Sequence, residues 1–225
     1  MAKKVAIFDL DGTLLDTLTD LRESLKAALW RFDFPADFDD QSFKMMIGNG
    51  LARLIGRALP AGSAKDEALI EKIRLAFKKE YALRLRQETK PYPEISELLD
   101  RLSYLGFDMA VFSNKDEDNA KKLVDHFFPN RFAFCFGATA ERPIKPDPAG
   151  GLELARRLGL DPTEILYLGD SEVDMQTAAN CGFIPVGVAW GFRDVEVLRE
   201  SGAKFIVKTP LEFLNVVEKT HGSEA

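Results

Sequence analysis

The sequence predicts an α/β fold: an open parallel sheet with helices on both faces, and an all-helical segment inserted after the first strand. Three observations lead to this prediction. Short apolar runs without polar alternation recur along the chain, as is typical of strands buried on both faces. From residue 94 onwards these runs alternate with helical stretches of about ten residues. Between residues 17 and 86 the pattern is helical throughout.

The composition is that of a globular protein with one large domain or a domain carrying an insertion. Hydrophobic residues make up 46% of the 225 residues, charged residues 29%, and the net charge is -6. This balance provides no basic surface for nucleic acid. No apolar run approaches the roughly 18 residues of a membrane span, and the first residues lack the apolar region of a signal peptide. We therefore expect a cytoplasmic protein that binds neither nucleic acid nor membrane, as a monomer or homodimer.

The few cysteines and histidines exclude several kinds of site. Cys135 and Cys181 lie far apart in apolar surroundings and form no CxxC pair, which favours reduced core residues. His126 and His221 have no metal-ligand spacing. A zinc site or a histidine-based triad is therefore not expected.

The first half of the chain contains one strand followed by helices. Val5–Phe8 is an apolar run typical of a buried strand, and Asp16 or Thr17 can cap the helix that follows. Apolar periodicity, loops and glycine or proline breaks predict helices at 17–30, 41–47, 51–59 and 62–86.

The pattern changes after Pro91 and Pro93. Strands are predicted at 107–112, 132–136, 165–168, 184–188 and 205–207. Helices are predicted at 94–105, 116–128, 148–158, 172–181, 195–201 and 211–217. We assign 1–16 and 87–225 to a Rossmann-like α/β core and 17–86 to a helical cap domain.

Polar side chains follow three of the predicted strands. Asp9 and Asp11 come after the first, Ser113 and Asn114 after the second, and Asp170 after a later one. Ligands of open α/β sheets bind at the carboxyl ends of the strands, so we expect these groups to converge. Three carboxylates at one edge favour Mg²⁺ shared with a substrate phosphate. One carboxylate can attack phosphorus, while another protonates the leaving oxygen and later activates water.

Each acidic position also has a structural interpretation. Asp11 and Gly12 are common in turns, so the stretch can be a turn followed by an N-cap for the next helix. Asp170 can serve as a helix N-cap. Asp174 lies one turn further along the same helix face, where it can hold metal-bound water or a lysine, or be an exposed helical acid.

Two further segments can supply groups for a phosphate. Ser113 and Asn114 offer a hydroxyl and backbone amides where a strand leads into a helix, although they can equally be capping residues. Lys145 lies between Pro143 and Pro146, which restrict the loop and the direction of the lysine. A lysine and a metal that clamp a transferred phosphoryl group accelerate its transfer, whereas a lone surface lysine is usually solvated.

Two glycine-containing turns remain. Gly48–Gly50 is no dinucleotide-binding loop, because no strand precedes it and Arg53 stands where the third glycine is needed. We interpret it as a helix-ending turn; the alternative is a loop that brings Arg53 to the non-phosphate end of a substrate. The Trp190–Phe192 turn is expected to pack at the edge of the core.

Four segments together resemble the motifs of the haloacid dehalogenase superfamily, in order and spacing: Asp9–Thr17, Phe112–Lys115, Lys145–Pro148 and Gly169–Asp174. The helical stretch after the first motif and the run Gly187–Phe192 resemble the phosphoglycolate phosphatase-like branch. The resemblance covers essentially the whole chain.

The resemblance implies a Mg²⁺-dependent phosphatase that forms an aspartyl-phosphate. Asp9 would be the nucleophile, and Asp11 would be the acid/base. The backbone carbonyl of Asp11 would also bind Mg²⁺. The presence of an acid at position 11 favours phosphoryl transfer over dehalogenation. The predicted site residues are, for catalysis, Asp9 and Asp11; for phosphate or substrate, Thr13, Ser113, Asn114, Lys145 and Arg53; and for the metal, Asp9, Asp11 and Asp170, supported by Asp174.

The expected substrate is a small phosphorylated metabolite, first of all 2-phosphoglycolate. Other enzymes remain as alternatives. The substrate could be a sugar phosphate, a nucleoside monophosphate or pyrophosphate, or the reaction could be that of a phosphosugar mutase. A protein of a different class, a non-catalytic metal-gated binding protein, is the further alternative. It would function unchanged after Asp9→Asn.

Overall fold

The computed structural model of the chain describes residues 4–48 and 50–221, the side chain of His221 excepted. Asn49, in the predicted helix-ending turn, lies outside the described residues. The chain divides into two compact units. The core unit consists of the segment up to Leu15 and the segment from Pro91 onwards, and the cap unit spans Asp16–Lys90. The cap unit therefore begins one residue before the predicted cap domain 17–86 and ends four residues after it.

The strands of the described chain are β1 Lys4–Phe8, β2 Leu15–Asp16, β3 Lys90–Pro91, β4 Phe107–Asp116, β5 Phe134–Ala138, β6 Ile165–Gly169, β7 Ile184–Val188 and β8 Phe205–Val207. The α-helices are α1 Leu18–Trp30, α2 Asp40–Met46, α3 Leu51–Ala58, α4 Glu67–Arg84, α5 Ile95–Tyr104, α6 Glu117–Phe127, α7 Ala149–Leu158, α8 Glu172–Cys181, α9 Val195–Glu200 and α10 Phe213–His221. Short 3₁₀ helices occupy Pro162–Glu164 and Pro210–Glu212.

Six strands form one parallel sheet in the order β5-β4-β1-β6-β7-β8. The predicted parallel α/β core is thereby confirmed. β1 lies between β4 and β6, so the carboxyl ends of these three strands are neighbours. The two short strands β2 and β3, which the sequence pattern did not predict, pair with each other where the chain passes between the units.

Helices cover both faces of the sheet. Val5 and Ile7 pack in one buried cluster with Leu154 of α7 and Ala178 of α8. Phe8 points to the opposite face because side chains alternate along a strand, and there its ring lies 6.4 Å from that of Phe213 in α10. Burial on both faces explains why the strands are apolar without alternation.

Some element ends differ from the predictions. α4 begins at Glu67 and not near residue 62, because Asp66 caps it by accepting a hydrogen bond from the Leu69 amide at 3.0 Å. β4 continues to Asp116, four residues beyond its predicted end. Cys135 and Cys181 are free thiols, half-buried and buried. No helix within residues 4–48 and 50–221 is long and apolar enough to cross a membrane.

Candidate active site

The candidate site lies at the carboxyl ends of β1, β4 and β6. Asp9 directly follows β1, Ser113 is near the end of β4, and Asp170 directly follows β6. The backbone amide of Asp9 donates a hydrogen bond to the carbonyl of Leu168, which ties the end of β1 to that of β6. The predicted convergence of polar groups from three strands therefore occurs within the core unit.

Three carboxylates of the site are buried together. Oxygen atoms of Asp9, Asp170 and Asp174 lie within 4.8 Å of one another. Burial raises the pKa of Asp9 to about 7, against the attraction of Lys145 and with a further increase from Asp174. Burial also raises the pKa of Asp170 well above its ordinary value, with repulsion from Asp174 and Asp9 adding to the effect. The cluster thus disfavours negative charge unless a cation neutralises it.

Lys145 is the cation that contacts this cluster. Its Nζ lies 2.9 Å from Asp9 Oδ1, 2.7 Å from Asp174 Oδ1 and 3.0 Å from the Tyr167 hydroxyl. Burial lowers the pKa of Lys145, but the carboxylates of Asp174 and Asp9 outweigh it and hold that pKa well above its ordinary value. Lys145 is therefore a buried ammonium, and the predicted link between the lysine loop and the strand ends is present.

Asn114 holds the loop that carries Lys145. Its amide nitrogen donates to the Lys145 carbonyl at 3.0 Å, and its amide oxygen accepts from the Lys145 backbone amide at 2.7 Å. The predicted role of Asn114 was to bind phosphate. That role stays a prediction; in the structure the Asn114 side chain binds the backbone of Lys145, and this positions the lysine.

Asp174 has both carboxylate oxygens engaged by protein groups. Oδ1 accepts from Lys145 and from the Tyr167 hydroxyl, and Oδ2 accepts from the Ser171 amide and hydroxyl at 3.0 and 2.6 Å. Ser171 and Asp174 thereby form a capping box at the start of α8. These contacts support the predicted alternative in which Asp174 holds a lysine.

The Asp170 side chain contacts both the turn after β1 and the loop after β7. Its Oδ1 lies 3.4 Å from the Thr13 hydroxyl and its Oδ2 accepts from the Phe192 amide at 2.8 Å. Trp190 Nε1 donates to the Thr13 carbonyl at 3.0 Å. Phe192 is buried, in keeping with the expected packing of the Trp190–Phe192 turn, and two residues of the turn also hydrogen-bond to site residues. Nothing in the residue types of this turn indicated a hydrogen bond from its backbone to a distant carboxylate.

Asp11 is not one of the three carboxylates that meet, although its charge adds to the rise in the pKa of Asp9. Lys115 Nζ contacts both carboxylate oxygens of Asp11, at 2.8 and 2.9 Å. Lys115 belongs to the Phe112–Lys115 motif, but it is not among the predicted site residues. The only sequence signal was a lysine directly after Ser113 and Asn114, and a lysine at a strand end is usually solvated.

Comparisons with known proteins place this geometry in a family. The sequence profile described as haloacid dehalogenase-like hydrolase matches residues 6–188, most of the chain. The chain belongs to the haloacid dehalogenase-like hydrolase family. The predicted resemblance to that superfamily and to its phosphoglycolate phosphatase-like branch is confirmed.

Individual relatives of this hydrolase match along nearly its whole length. Phosphoglycolate phosphatase of Mannheimia succiniciproducens is 31% identical over 95% of this chain and 98% of its own. The same-named protein of Vibrio parahaemolyticus is 32% identical over 95% and 96%. The crystal structure of a candidate phosphoglycolate phosphatase from Lactobacillus delbrueckii subsp. bulgaricus superposes with a TM-score of 0.89 at 33% identity, covering 96% of this chain and 99% of the other.

The acidic cluster of the hydrolase fits a divalent cation. Asp9, Asp170 and Asp174 offer only oxygen ligands, as Mg²⁺ prefers. Within the part of the chain that the structure describes, Asp9 Oδ1 is buried and receives no hydrogen bond of acceptable geometry, although Lys145 lies close to it. A buried oxygen in this condition is stabilised by a bound cation.

The remaining predicted residues differ in their surroundings. Ser113 is buried, and its hydroxyl accepts a hydrogen bond from the Lys115 amide at 3.3 Å. Thr13 is buried beside Asp170, which its hydroxyl contacts. Arg53 is exposed on α3 of the cap unit. Its role, like the phosphate-binding roles of Ser113 and Thr13, stays a prediction.

Gly191→Ala is expected to disturb Asp170 in the hydrolase. A Cβ at Gly191 would overlap the Asp170 side chain and the Gly12 carbonyl, both of which are closely packed. We expect the free energy of unfolding to fall by about 1–3 kcal/mol and the rate of phosphate release by at least about tenfold. Urea unfolding and steady-state kinetics measure the two effects.

Gly62→Ala is the matched control. A Cβ at Gly62, in the cap unit, meets nothing within 4 Å. It should change the free energy of unfolding by no more than about 0.5 kcal/mol. Similar effects of the two substitutions would contradict the close packing of Gly191 against Asp170.

Proposed function

We propose that this protein is a Mg²⁺-dependent phosphatase that hydrolyses 2-phosphoglycolate through an aspartyl-phosphate on Asp9. The observation that carries the proposal is the buried group of Asp9, Asp170 and Lys145 at the ends of neighbouring strands. The names of the relatives support the choice of substrate: several proteins about 30% identical over nearly the whole chain are called phosphoglycolate phosphatase.

Asp9 is the nucleophile of the proposed reaction. One of its carboxylate oxygens attacks phosphorus, the bond from phosphorus to the substrate oxygen breaks, and the phosphoryl group is transferred to Asp9. The attack needs the ionised carboxylate, although burial raises the pKa of Asp9 to about 7. Lys145 favours the ionised form through its contact with Asp9 Oδ1.

The metal would be held by Asp9, Asp170 and the backbone carbonyl of Asp11. When bound, Mg²⁺ supplies positive charge to the carboxylates and to the phosphoryl oxygens. Asp174 contributes indirectly, because both of its oxygens are already engaged by protein donors and it orients Lys145.

The other residues bind the phosphoryl group and move protons. Lys145 and the Ser113 hydroxyl hold phosphoryl oxygens, and Asn114 keeps the backbone of Lys145 in place. Asp11 protonates the leaving oxygen in the first step. In the second step water attacks the phosphorus of the aspartyl-phosphate, Asp11 takes a proton from that water, and the bond from phosphorus to Asp9 breaks to release phosphate. These separate tasks suit the separate location of Asp11 outside the acidic cluster.

A phosphate-release panel tests the proposal. Purified protein is incubated with Mg²⁺ and 2-phosphoglycolate, sugar phosphates, nucleoside monophosphates, pyrophosphate and p-nitrophenyl phosphate. We expect the highest kcat/KM with 2-phosphoglycolate and no release in EDTA. A higher kcat/KM with another ester would overturn the substrate, and no release from any ester would overturn phosphatase activity.

Arg53→Ala tests a contribution of the cap unit to selectivity. If Arg53 binds the non-phosphate end of the substrate, the variant should lose at least about tenfold in kcat/KM on 2-phosphoglycolate and much less on p-nitrophenyl phosphate, which lacks a carboxylate. Arg156→Ala, on the exposed side of α7 in the core unit, is the control. Equal losses on both esters would argue against a selectivity role.

A further inference from the structure

We propose that Lys115 is a positioning residue that holds the Asp11 carboxylate apart from the acidic cluster and directs it to the leaving group. The inference rests on the proposed function, since Asp11 has a leaving group to protonate only in a phosphatase. It adds a residue to which the sequence analysis assigned no role.

The contact between the two side chains is a charge-assisted pair to both carboxylate oxygens. The distances of 2.8 and 2.9 Å from Lys115 Nζ to Asp11 Oδ1 and Oδ2 lie in the range of strong N–H···O bonds. An ammonium that contacts both oxygens restricts rotation of the carboxylate. Asp11 therefore has one defined orientation in the structure.

The two side chains differ in burial, and this difference shows on which side of the Asp11 carboxylate the lysine lies. The side chain of Lys115 is 4% exposed, whereas that of Asp11 is 16% exposed. The lysine thus contacts the carboxylate from the protein interior and leaves part of it open to the outside. A leaving oxygen that approaches from outside meets a carboxylate already held in place.

The same pair separates Asp11 from the three other carboxylates. Asp9 and Asp174 contact Lys145, and Asp170 lies beside them, whereas Asp11 pairs with Lys115. Without that partner, the Asp11 side chain would be free to turn to any cation bound by the cluster. A carboxylate drawn into metal coordination would no longer face the leaving oxygen, whereas proton transfer needs the two groups within hydrogen-bond reach.

The backbone at Lys115 lies in an irregular part of β4. Between Phe112 and Asp116, β4 advances four residues while its partner β5 advances two, from Phe136 to Ala138. Strand pairing is irregular there, as in a bulge, and bulges redirect side chains. A Cβ on Gly137 of β5 would overlap the backbone of Lys115, so the two segments are in close contact. Lys115 is therefore placed by the strand itself.

The test compares Lys115→Met with Lys115→Arg on two esters. The leaving groups of these esters differ in whether they must be protonated. Departure of the alkoxide of 2-phosphoglycolate needs a proton, whereas p-nitrophenolate is a stable anion. We expect Lys115→Met to lower kcat/KM at least about tenfold on 2-phosphoglycolate and less than about threefold on p-nitrophenyl phosphate. Lys115→Arg should recover part of the loss, because it keeps the charge but changes the geometry.

Crystal structures of the wild type and of Lys115→Met provide a readout independent of activity. We expect Asp11 to leave its wild-type orientation in the variant. Lys122→Met, an exposed lysine on α6, is the control and should leave both kinetics and Asp11 unchanged. If Asp11 keeps its orientation in Lys115→Met, or if both esters lose equally, the proposed role of Lys115 is wrong.

The two proposals fail in different ways. If the wild type releases phosphate from p-nitrophenyl phosphate but not from 2-phosphoglycolate, only the substrate is wrong, and another alkyl phosphate replaces it in the comparison. If the wild type hydrolyses no ester, the proposed function fails. The orientation of Asp11 in the two crystal structures then still decides whether Lys115 positions it.

Discussion

We expect Asp9→Asn to lower the rate of phosphate release by at least about 10³-fold in the presence of Mg²⁺. An asparagine amide is uncharged, so it attacks phosphorus poorly and is a weaker ligand for a hard cation. It has nearly the volume of aspartate and keeps an oxygen that can stay beside Lys145, so we expect the surrounding packing to be kept. The measurement is phosphate release from 2-phosphoglycolate and from p-nitrophenyl phosphate at saturating Mg²⁺.

Asp125→Asn is the matched control for the charge change. Asp125 is exposed on α6 and belongs to none of the site groups, so its variant should retain the wild-type rate. Asp9→Asn should at the same time remain folded, as far-UV circular dichroism would show. A folded Asp9→Asn protein with the wild-type rate would exclude the aspartyl-phosphate mechanism and favour the non-catalytic alternative.

The second large effect concerns the stability of the metal-free protein, which should fall as the pH rises from about 4 to about 7. The pKa of Asp9 is 3.8 as an ordinary aspartate and about 7 in the folded state. The folded protein therefore binds more protons than the unfolded chain between these values, and its free energy of unfolding decreases with pH. The full shift corresponds to about 4 kcal/mol, all of it lost above pH 7.

The direction is the same for Asp170, whose pKa burial also raises. Glu117 acts in another pH window, because hydrogen bonds from Lys121 and Arg142 outweigh its burial and lower its pKa to about 2. Its contribution changes below about pH 4.5 and does not obscure the interval from pH 5 to 7. The decline in that interval therefore reports on the buried cluster.

Urea unfolding in EDTA at pH 5, 6, 7 and 8 measures this decline. Asp9→Asn should reduce it and should be more stable than the wild type at pH 8, because it removes one of the buried negative charges. Mg²⁺ should stabilise the wild type more at pH 8 than at pH 5, where protons compete for Asp9. A metal-free wild type whose stability is constant or rises from pH 5 to 7 would contradict the raised pKa.

Much of the fold could be predicted because it depends on local patterns. The runs at 165–168 and 184–188 are apolar without alternation, and strands occur at Ile165–Gly169 and Ile184–Val188. Helix ends were less accurate where a side chain decides them, as Asp66 does for α4. β2 and β3 were missed because two-residue strands have no periodicity and arise only from pairing with each other.

The convergence of the site could also be predicted. Asp9, Ser113 and Asp170 each stand at the end of a buried run, and in a parallel sheet such ends meet at one edge. Motif order and spacing were sufficient to indicate the family. No knowledge of side-chain contacts was needed for either step.

The partners of the site residues were decided by tertiary structure alone. Lys115 contacts Asp11 from the stretch where β4 is irregular beside β5, and the Phe192 amide contacts Asp170 where the loops after β6 and β7 meet. These contacts join residues 104 and 22 positions apart in the chain. The sequence by itself determined which chemical groups reach the sheet edge, since strand order along the chain and the periodicity of burial are local properties. Which group contacts which depends on side-chain direction and on the approach of distant segments, and these exist only in the folded chain.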